Sequence, residues 1–178
     1  MSAAPRVRLR DVTLADADLF DAWDADPAAI GEFNDFGIAR EPTDRAALAK
    51  GPLRNDRNGH LIVERISDGT PIGSVGWHKV GYGPNRESDG WNIGIALVPE
   101  VRGQGYGTEA QAQLADYLFA NTTVNRVEAQ TDADNVAEQR ALEKAGFRRE
   151  GVARGSQFRA GAYHDLVTFS MLRSDRRG

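Results

Sequence analysis

The chain has 178 residues, of which 40% are hydrophobic and 27% charged, with three His and no Cys. This length suits a single domain over residues 1–178 with one core, and the absence of Cys excludes disulfides, thiolate metal sites and a cysteine nucleophile. The net charge of −4 argues against general binding to nucleic acids or anionic membranes.

The excess of acidic over basic residues is confined to the first fifty residues. Residues 1–50 carry 6 Lys and Arg against 10 Asp and Glu, whereas residues 51–178 carry 16 of each. No targeting segment and no membrane helix is predicted, so we expect a cytoplasmic protein.

The first half of the chain predicts two helices and an antiparallel meander. Apolar residues alternate in VRLRDVT, which indicates a strand, and recur at helical spacing in LADADLFDAWDAD, whose aspartates we expect on a solvated face. A weaker helix follows Pro42, with Thr43 or Asp44 as its cap. Three strands come next, separated by an Asp68-Gly69 turn and a Gly-rich loop; they are HLIVERI, PIGSVGWHKV and WNIGIALVP.

The second half alternates between helix and strand. TEAQAQLADYLFAN is predicted to be an amphipathic helix, RVEAQT a short strand, and NVAEQRALEKAGF a helix that Gly146 ends in a left-handed conformation. FRREGVAR and HDLVTFSML are the closing strands. The pattern predicts an α+β (mixed α/β) fold with a mixed sheet.

The sharpest motif is the segment VRGQGYGTEA, in which three glycines alternate before a helix. Unobstructed backbone amides at a helix N-terminus bind phosphate oxygens. A Walker A loop would need Lys after Gly107, and a dinucleotide loop would need Gly at Thr108. The remaining pattern is R-x-x-G-x-G, formed by Arg102, Gly105 and Gly107.

This pattern resembles the pyrophosphate loop, [RQ]-x-x-G-x-[GA], of the GNAT N-acetyltransferase superfamily. The helix N-x-A-x-x-R-x-L-E-K-x-G-F is similar to the next helix of that superfamily, and GVAR…GAYHDLVTFSML resembles the branch with the ribosomal-protein N-terminal (alanine) acetyltransferases. The resemblance implies a largely antiparallel mixed sheet with a splayed central strand pair and flanking helices. It also implies direct transfer of an acetyl group from acetyl-CoA to an amine.

The resemblance assigns cofactor-binding roles position by position. Leu97 and Val98 match the strand end whose amides bind the pantetheine and the acetyl carbonyl, which implies a backbone donor for the oxyanion. Asn135 and Arg140 match positions that line the cofactor cleft. The predicted pyrophosphate cradle comprises Val101, Arg102, Gly103, Gln104, Gly105, Tyr106, Gly107 and Thr108.

The acid and base groups depart from the family pattern. Many relatives have Ser at the Glu138 position or Tyr at the Leu142 position as donors to the departing thiolate. Glu138 is a candidate carboxyl near the sulfur, although a capping box with Asn135 explains it more simply. Branch relatives often have Glu at the Asn92 position, and an amide is no base.

Glu128 is then the next candidate for the general base. The side of the strand that carries Glu128 is expected to face the cleft. Alternatively, Glu128 pairs with Arg126 or Arg140. Proton removal through water is a further alternative.

The expected acceptor pocket lies on the other side of the cleft. His78, Trp91 and Tyr163 are candidates to line it, although a surface histidine and core aromatics are simpler interpretations. Glu32 and Asp35 lie in the Gly-bounded segment IGEFNDFG, where carboxylates would attract a cationic amine. No spacing of His or acidic residues indicates a metal site.

Three functional alternatives stay open at this stage. The first is an acetyltransferase whose acceptor is a protein N-terminus, a polyamine, an amino acid derivative or an antibiotic. The second is transfer of a longer acyl group. The third is a GNAT-like protein that binds CoA or another metabolite without turnover. The oligomeric state also stays open, and a homodimer is one alternative, by analogy with the branch.

Overall fold

The structure is a computed structural model that describes residues 4–176. Seven strands form one sheet in the order β1-β2-β3-β4-β5-β7-β6. All neighbours are antiparallel except β4 and β5. The strands are β1 (Val7–Asp11), β2 (Asn58–Arg65), β3 (Pro71–Gly81), β4 (Asp89–Leu97), β5 (Arg126–Asp132), β6 (Arg148–Arg159) and β7 (Ala162–Leu172).

Five helices flank the sheet: α1 (Ala17–Ala25), α2 (Pro27–Ile30), α3 (Arg45–Lys50), α4 (Tyr106–Asn121) and α5 (Val136–Lys144). Asp44 caps α3 by accepting a hydrogen bond from the Ala47 amide at 2.9 Å. Gly146 has φ +96° just after α5, the left-handed conformation expected there. Within the described part of the chain, no helix has the length and apolar content needed to cross a bilayer.

The predicted fold class is confirmed, and the central strand pair is splayed as expected. β4 and β5 pair only from Trp91 opposite Val127 to Ile93 opposite Ala129. Beyond these three residue pairs the two strands separate, and a parallel ladder that ends leaves backbone donors and acceptors without a strand partner. The opening between β4 and β5 is therefore the place where a ligand meets free backbone groups.

The core holds the two long elements of the site in place. Helix α4 packs its apolar face on the sheet through Leu114 and Leu118, both fully buried. Leu142 joins α5 to the same core, and Phe169 of β7 is buried beneath it. Because each of these side chains removes its whole apolar surface from water, the start of α4 and the start of α5 are fixed relative to β4.

One expectation for the first helix is wrong. Asp16 is not solvated: it is 6% exposed, and both of its carboxylate oxygens accept hydrogen bonds from Arg10, at 2.8 Å each. The Thr13 amide donates to the same carboxylate at 2.8 Å. The helix therefore begins only at Ala17, after a short 3-10 turn that Asp16 organises.

The closing hairpin is longer than the sequence predicts. The sequence predicts the first of these strands only as far as Arg154 and the second only from His164, whereas β6 continues to Arg159 and β7 begins at Ala162. A two-residue turn joins them, with φ +50° at Ala160 and +81° at Gly161, as in tight hairpins. This extension brings Arg159 to the opening between β4 and β5.

Candidate active site

A cleft of about 680 Å³ opens where β4 and β5 separate. Its walls are the α2–α3 loop, the glycine loop before α4, and the first turns of α5. The structure brings these predicted site residues together along the cleft: Glu32, Leu97, Arg102, Gly103, Gly105, Gly107, Thr108, Asn135, Glu138 and Arg140.

The glycine loop presents a row of free amides to the cleft. Gly103 and Gly105 have φ of +73° and +86°, values that side chains disfavour. Among residues 4–176, the structure shows no acceptor for the backbone amides from Gly103 to Thr108. These six donors lie at the N-terminal end of the 16-residue helix α4, where the helix dipole also favours an anion. The loop is therefore chemically suited to a pyrophosphate.

The Arg102 side chain stabilises the wall of the cleft through hydrogen bonds to two backbone carbonyls. Its Nε donates to the Leu97 carbonyl at 2.8 Å, and its Nη2 donates to the Ala29 carbonyl at 2.6 Å. One guanidinium thus joins the end of β4 to helix α2 across the mouth of the cleft. Charge-assisted hydrogen bonds of this kind hold a wall in place while leaving the amides free.

The strand-end amides differ in part from the prediction. The Val98 amide donates to the Ile72 carbonyl at 3.0 Å, so the sheet already uses it and it is not available to pantetheine. Because amides alternate between the two edges of a strand, those of Leu97 and Ile95 face β5 instead. β5 has separated at this level, and Leu97 and Ile95 line the cleft.

Val101 is also outside the cradle. Its amide donates to the Val98 carbonyl at 3.3 Å, and its side chain lies in the core, 5% exposed. Gln104 and Tyr106 contribute backbone amides to the loop, but their side chains do not line the cleft.

Glu138 lies in the cleft at the first turn of α5. Asn135 caps the helix by accepting a hydrogen bond from the Glu138 amide at 3.2 Å. The capping box is not completed, because the Asn135 amide donates to the Asp132 carbonyl at 3.0 Å. Burial raises the pKa of Glu138 to about 7, although the Gln111 side chain partly opposes this. Its carboxyl is therefore available in both protonation states near neutrality.

Glu128 has a different environment. It is 2% exposed and accepts hydrogen bonds from the Tyr82 hydroxyl, from Arg126 Nε at 2.9 Å and from Asn92 Nδ2 at 3.3 Å. Burial and the neighbouring Glu128 carboxylate raise the pKa of Tyr82. Glu128 does not line the cleft, and of the two interpretations the ion pair with Arg126 matches its contacts.

A buried ion pair, which no sequence motif predicts, lies at the part of the cleft wall that Asp132 lines. Asp132 and Arg159 are 4% and 7% exposed and are paired through Arg159 Nη2. Arg159 Nη1 donates to the Glu32 carbonyl at 2.8 Å, and its guanidinium lies 5.3 Å from the centre of the Phe33 ring. His164 Nδ1 is 3.2 Å from the Asp132 carboxylate.

This pair fixes the position of the α2–α3 loop. Burial acts to raise the pKa of Asp132, but hydrogen bonds from the Asp134 amide and Arg159 outweigh it and lower that pKa. Asp132 therefore stays ionised, and Arg159 links it to the loop that carries Glu32 and Phe33. No sequence pattern predicts this contact, because residues 132 and 159 come together only through the extension of the hairpin.

The remaining acceptor candidates lie outside the cleft. Trp91 is a core residue, 4% exposed, whose Nε1 donates to Thr122 Oγ1 at 3.3 Å. His78 is an exposed residue near the end of β3, between β2 and β4. Tyr163 is 73% exposed near the hairpin turn, and Asp35 caps its own turn by accepting from the Gly37 amide at 2.9 Å.

Comparison with known proteins agrees with this geometry. The acetyltransferase (GNAT) domain family matches residues 6–148. An uncharacterized N-acetyltransferase, p20 of Bacillus licheniformis, is 28% identical over 97% of this chain and 96% of its own length.

Two solved structures share the fold. Spermidine N-acetyltransferase from Vibrio cholerae, in complex with CoA and spermine, has a TM-score of 0.78 at 20% identity and covers 96% of this chain and 97% of its own. Mycobacterium smegmatis RimJ, in complex with CoA-disulfide, has a TM-score of 0.77 at 22% identity and covers 97% and 84%.

The family match, together with the splayed strand pair and the glycine loop, indicates an acyltransferase that takes its acyl group from a CoA thioester. The chain belongs to the GNAT acetyltransferase family. It is accordingly an N-acetyltransferase with acetyl-CoA as donor.

The glycine loop can be tested with Gly107→Asp. A Cβ at this position would contact Leu97 and Ile95 at ordinary distances of 3.5 and 3.7 Å, so the backbone is not strained and a carboxylate is placed in the cleft. We expect calorimetry to show no measurable binding of acetyl-CoA, because the added charge repels the pyrophosphate. Gly151→Asp, with open space around its Cβ, is the matched control. Undiminished affinity in Gly107→Asp would contradict the assignment.

The buried ion pair predicts a stability effect. Arg159→Met leaves the Asp132 carboxylate buried without its main partner, which costs about 3–5 kcal/mol. Urea unfolding should show this loss, and Asp132→Asn in the same chain should restore part of it. Arg154→Met, an exposed change on the same strand, is the control. Equal stability of the Arg159→Met and Arg154→Met variants would rule out the pair as a stabilising contact.

Proposed function

We propose that this chain transfers the acetyl group of acetyl-CoA directly to a cationic amine that enters at the α2–α3 loop. The observation that carries the proposal is the continuity of one cleft. It joins the free amides of the glycine loop, the strand amides of Leu97 and Ile95, and the carboxyl of Glu138.

In this proposal, backbone amides bind the donor and stabilise the negative charge that develops on its thioester oxygen. The loop amides from Gly103 to Thr108 hold the pyrophosphate, and the pantetheine runs between β4 and α5. The amide of Leu97 or Ile95 then donates to the thioester oxygen as negative charge develops on it. Donors that are already oriented need no reorganisation in the transition state, which makes this contribution large in acyl transfer.

The transfer needs three proton movements. The acceptor ammonium first loses one proton through water to a carboxylate, and the neutral amine then attacks the thioester carbon and forms the C–N bond. The C–S bond breaks to release the CoA thiolate, which takes the proton of Glu138. The nitrogen of the adduct loses a second proton through water, which returns Glu138 to its acid form, and no acyl-enzyme takes part.

The acceptor end favours a positively charged amine. Glu32 lines the cleft beside Phe33 and Phe36, which offers one carboxylate with apolar neighbours. The named acceptors of similar proteins, spermidine and ribosomal protein S5, both present amines. We place this chain in the same class of acceptors, as one acetyltransferase domain. A polyamine and a peptide N-terminus are the first two acceptors to compare.

The proton donor can be tested through pH. Because the pKa of Glu138 is raised to about 7, its acid form is present below pH 7 and is lost above it. We expect kcat, followed by thiol release, to show a descending limb near pH 7 that Glu138→Gln removes while lowering kcat about a hundredfold. Glu143→Gln, exposed on the same helix, should keep the profile. An unchanged limb in Glu138→Gln would exclude this role.

The acceptor site can be tested through charge. Glu32→Gln should raise the KM for spermidine, and the wild-type KM should rise with salt, because a cleft carboxylate concentrates cations. The KM for acetyl-CoA should stay constant. Asp35→Asn is the control, since its oxygen still accepts from the Gly37 amide. An unchanged KM for spermidine in Glu32→Gln would contradict this role of the carboxylate.

A further inference from the structure

The start of β1 lies directly behind the glycine loop. Arg6 Nη1 donates to the Gln104 carbonyl at 3.1 Å, and its guanidinium carbon is 4.7 Å from the centre of the Tyr106 ring. Arg6 Nη2 lies 3.1 Å from the position that a Cβ would take at Gly105. One arginine therefore contacts three consecutive residues of the loop without lining the cleft itself.

Arg6 is held in this position by helix α4. The Glu109 carboxylate accepts hydrogen bonds from the Arg6 amide at 2.7 Å and from the Val7 amide at 3.1 Å. Gln113 donates to the Val7 carbonyl at 2.9 Å. Because Glu109 is in the first turn of α4, the helix start, the loop and the strand form one connected unit.

The contact with Gln104 sets the direction of a peptide. In a trans peptide, the carbonyl of one residue and the amide of the next point in opposite directions. Since Arg6 binds the Gln104 carbonyl from behind the loop, the Gly105 amide must point away from Arg6. A cation on the carbonyl also polarises the peptide, which makes its N–H a stronger donor.

We propose that Arg6 is a positioning residue for donor binding, which orients the Gln104–Gly105 peptide towards the pyrophosphate of acetyl-CoA. The inference rests on the proposed function of the loop. It predicts that Arg6 favours binding of donors that carry the pyrophosphate over donors that consist only of an acylated pantetheine. Its positive charge adds a long-range attraction for the same group.

The experiment compares two donors. Acetyl-CoA carries the pyrophosphate, and S-acetylpantetheine lacks it. In Arg6→Gln, we expect the KM for acetyl-CoA to rise about five- to tenfold, the size of losing one charge-assisted hydrogen bond at a half-exposed site. The KM for S-acetylpantetheine and both kcat values should not change. Arg6→Lys keeps the charge and should give an intermediate KM for acetyl-CoA.

Arg148→Gln is the matched control. Its side chain is 77% exposed and is paired with Asp175, on a strand at the opposite edge of the sheet from β1. It removes the same charge without contacting the glycine loop. Both donors should keep their wild-type KM values in this variant.

The outcomes separate the two proposals. A wild-type protein that does not bind acetyl-CoA overturns the proposed function. If the wild type binds it and Arg6→Gln has the same KM, only the role of Arg6 is overturned. An equal rise for both donors also overturns it, because that result indicates a general structural defect. If Arg6→Gln fails to fold, Arg6→Lys replaces it. A higher KM for acetyl-CoA relative to that for S-acetylpantetheine then supports the role of Arg6, and an unchanged ratio overturns it.

Discussion

The early end of the β4–β5 ladder is the constraint on which the site depends. Three residue pairs join the two strands, and their amides and carbonyls then have no common partner. The other edge of β4 remains bonded to β3 as far as Val98. The amides of Leu97 and Ile95 are left facing the gap. An enzyme that must stabilise an oxyanion thereby obtains fixed donors from the backbone alone, with no side chain committed to that task.

Three arginines hold the walls of this gap, and each does so through backbone carbonyls. Arg102 joins the end of β4 to α2, Arg159 joins the hairpin to the α2–α3 loop, and Arg6 supports the glycine loop from behind. A guanidinium has five donors in a fixed plane, so it bridges separate segments better than an ammonium does. Arg102 and Arg6 thus support the glycine-loop side of the cleft and Arg159 supports the opposite side, while no acceptor within residues 4–176 binds the loop amides.

On the candidate donor side, the sequence predicts the glycine loop and the start of α5, because the determinants of both are local. Alternating glycines before an amphipathic helix specify an amide cradle within a few residues, and Asn135 specifies the start of α5 in the same way. Two of the site contacts that sequence reasoning missed join residues that are distant in the chain. Arg6 meets Gln104, and Arg159 meets Asp132, only because the sheet order brings them together. Val98 was misassigned for a related reason, since the direction of its amide depends on the register with β3.

The acidic first fifty residues take on a different meaning once their contacts are known. Five aspartates form ion pairs with arginines, namely Asp11, Asp16, Asp18, Asp21 and Asp24. Three more cap backbone amides, namely Asp26, Asp35 and Asp44. Most of the negative charges in this segment are therefore paired with arginines or bonded to backbone amides. The net charge of the segment overstates the electrostatic potential that a ligand experiences. Of the ten acids in residues 1–50, Glu32 is the one that lines the cleft, and Arg159 holds the backbone that carries it.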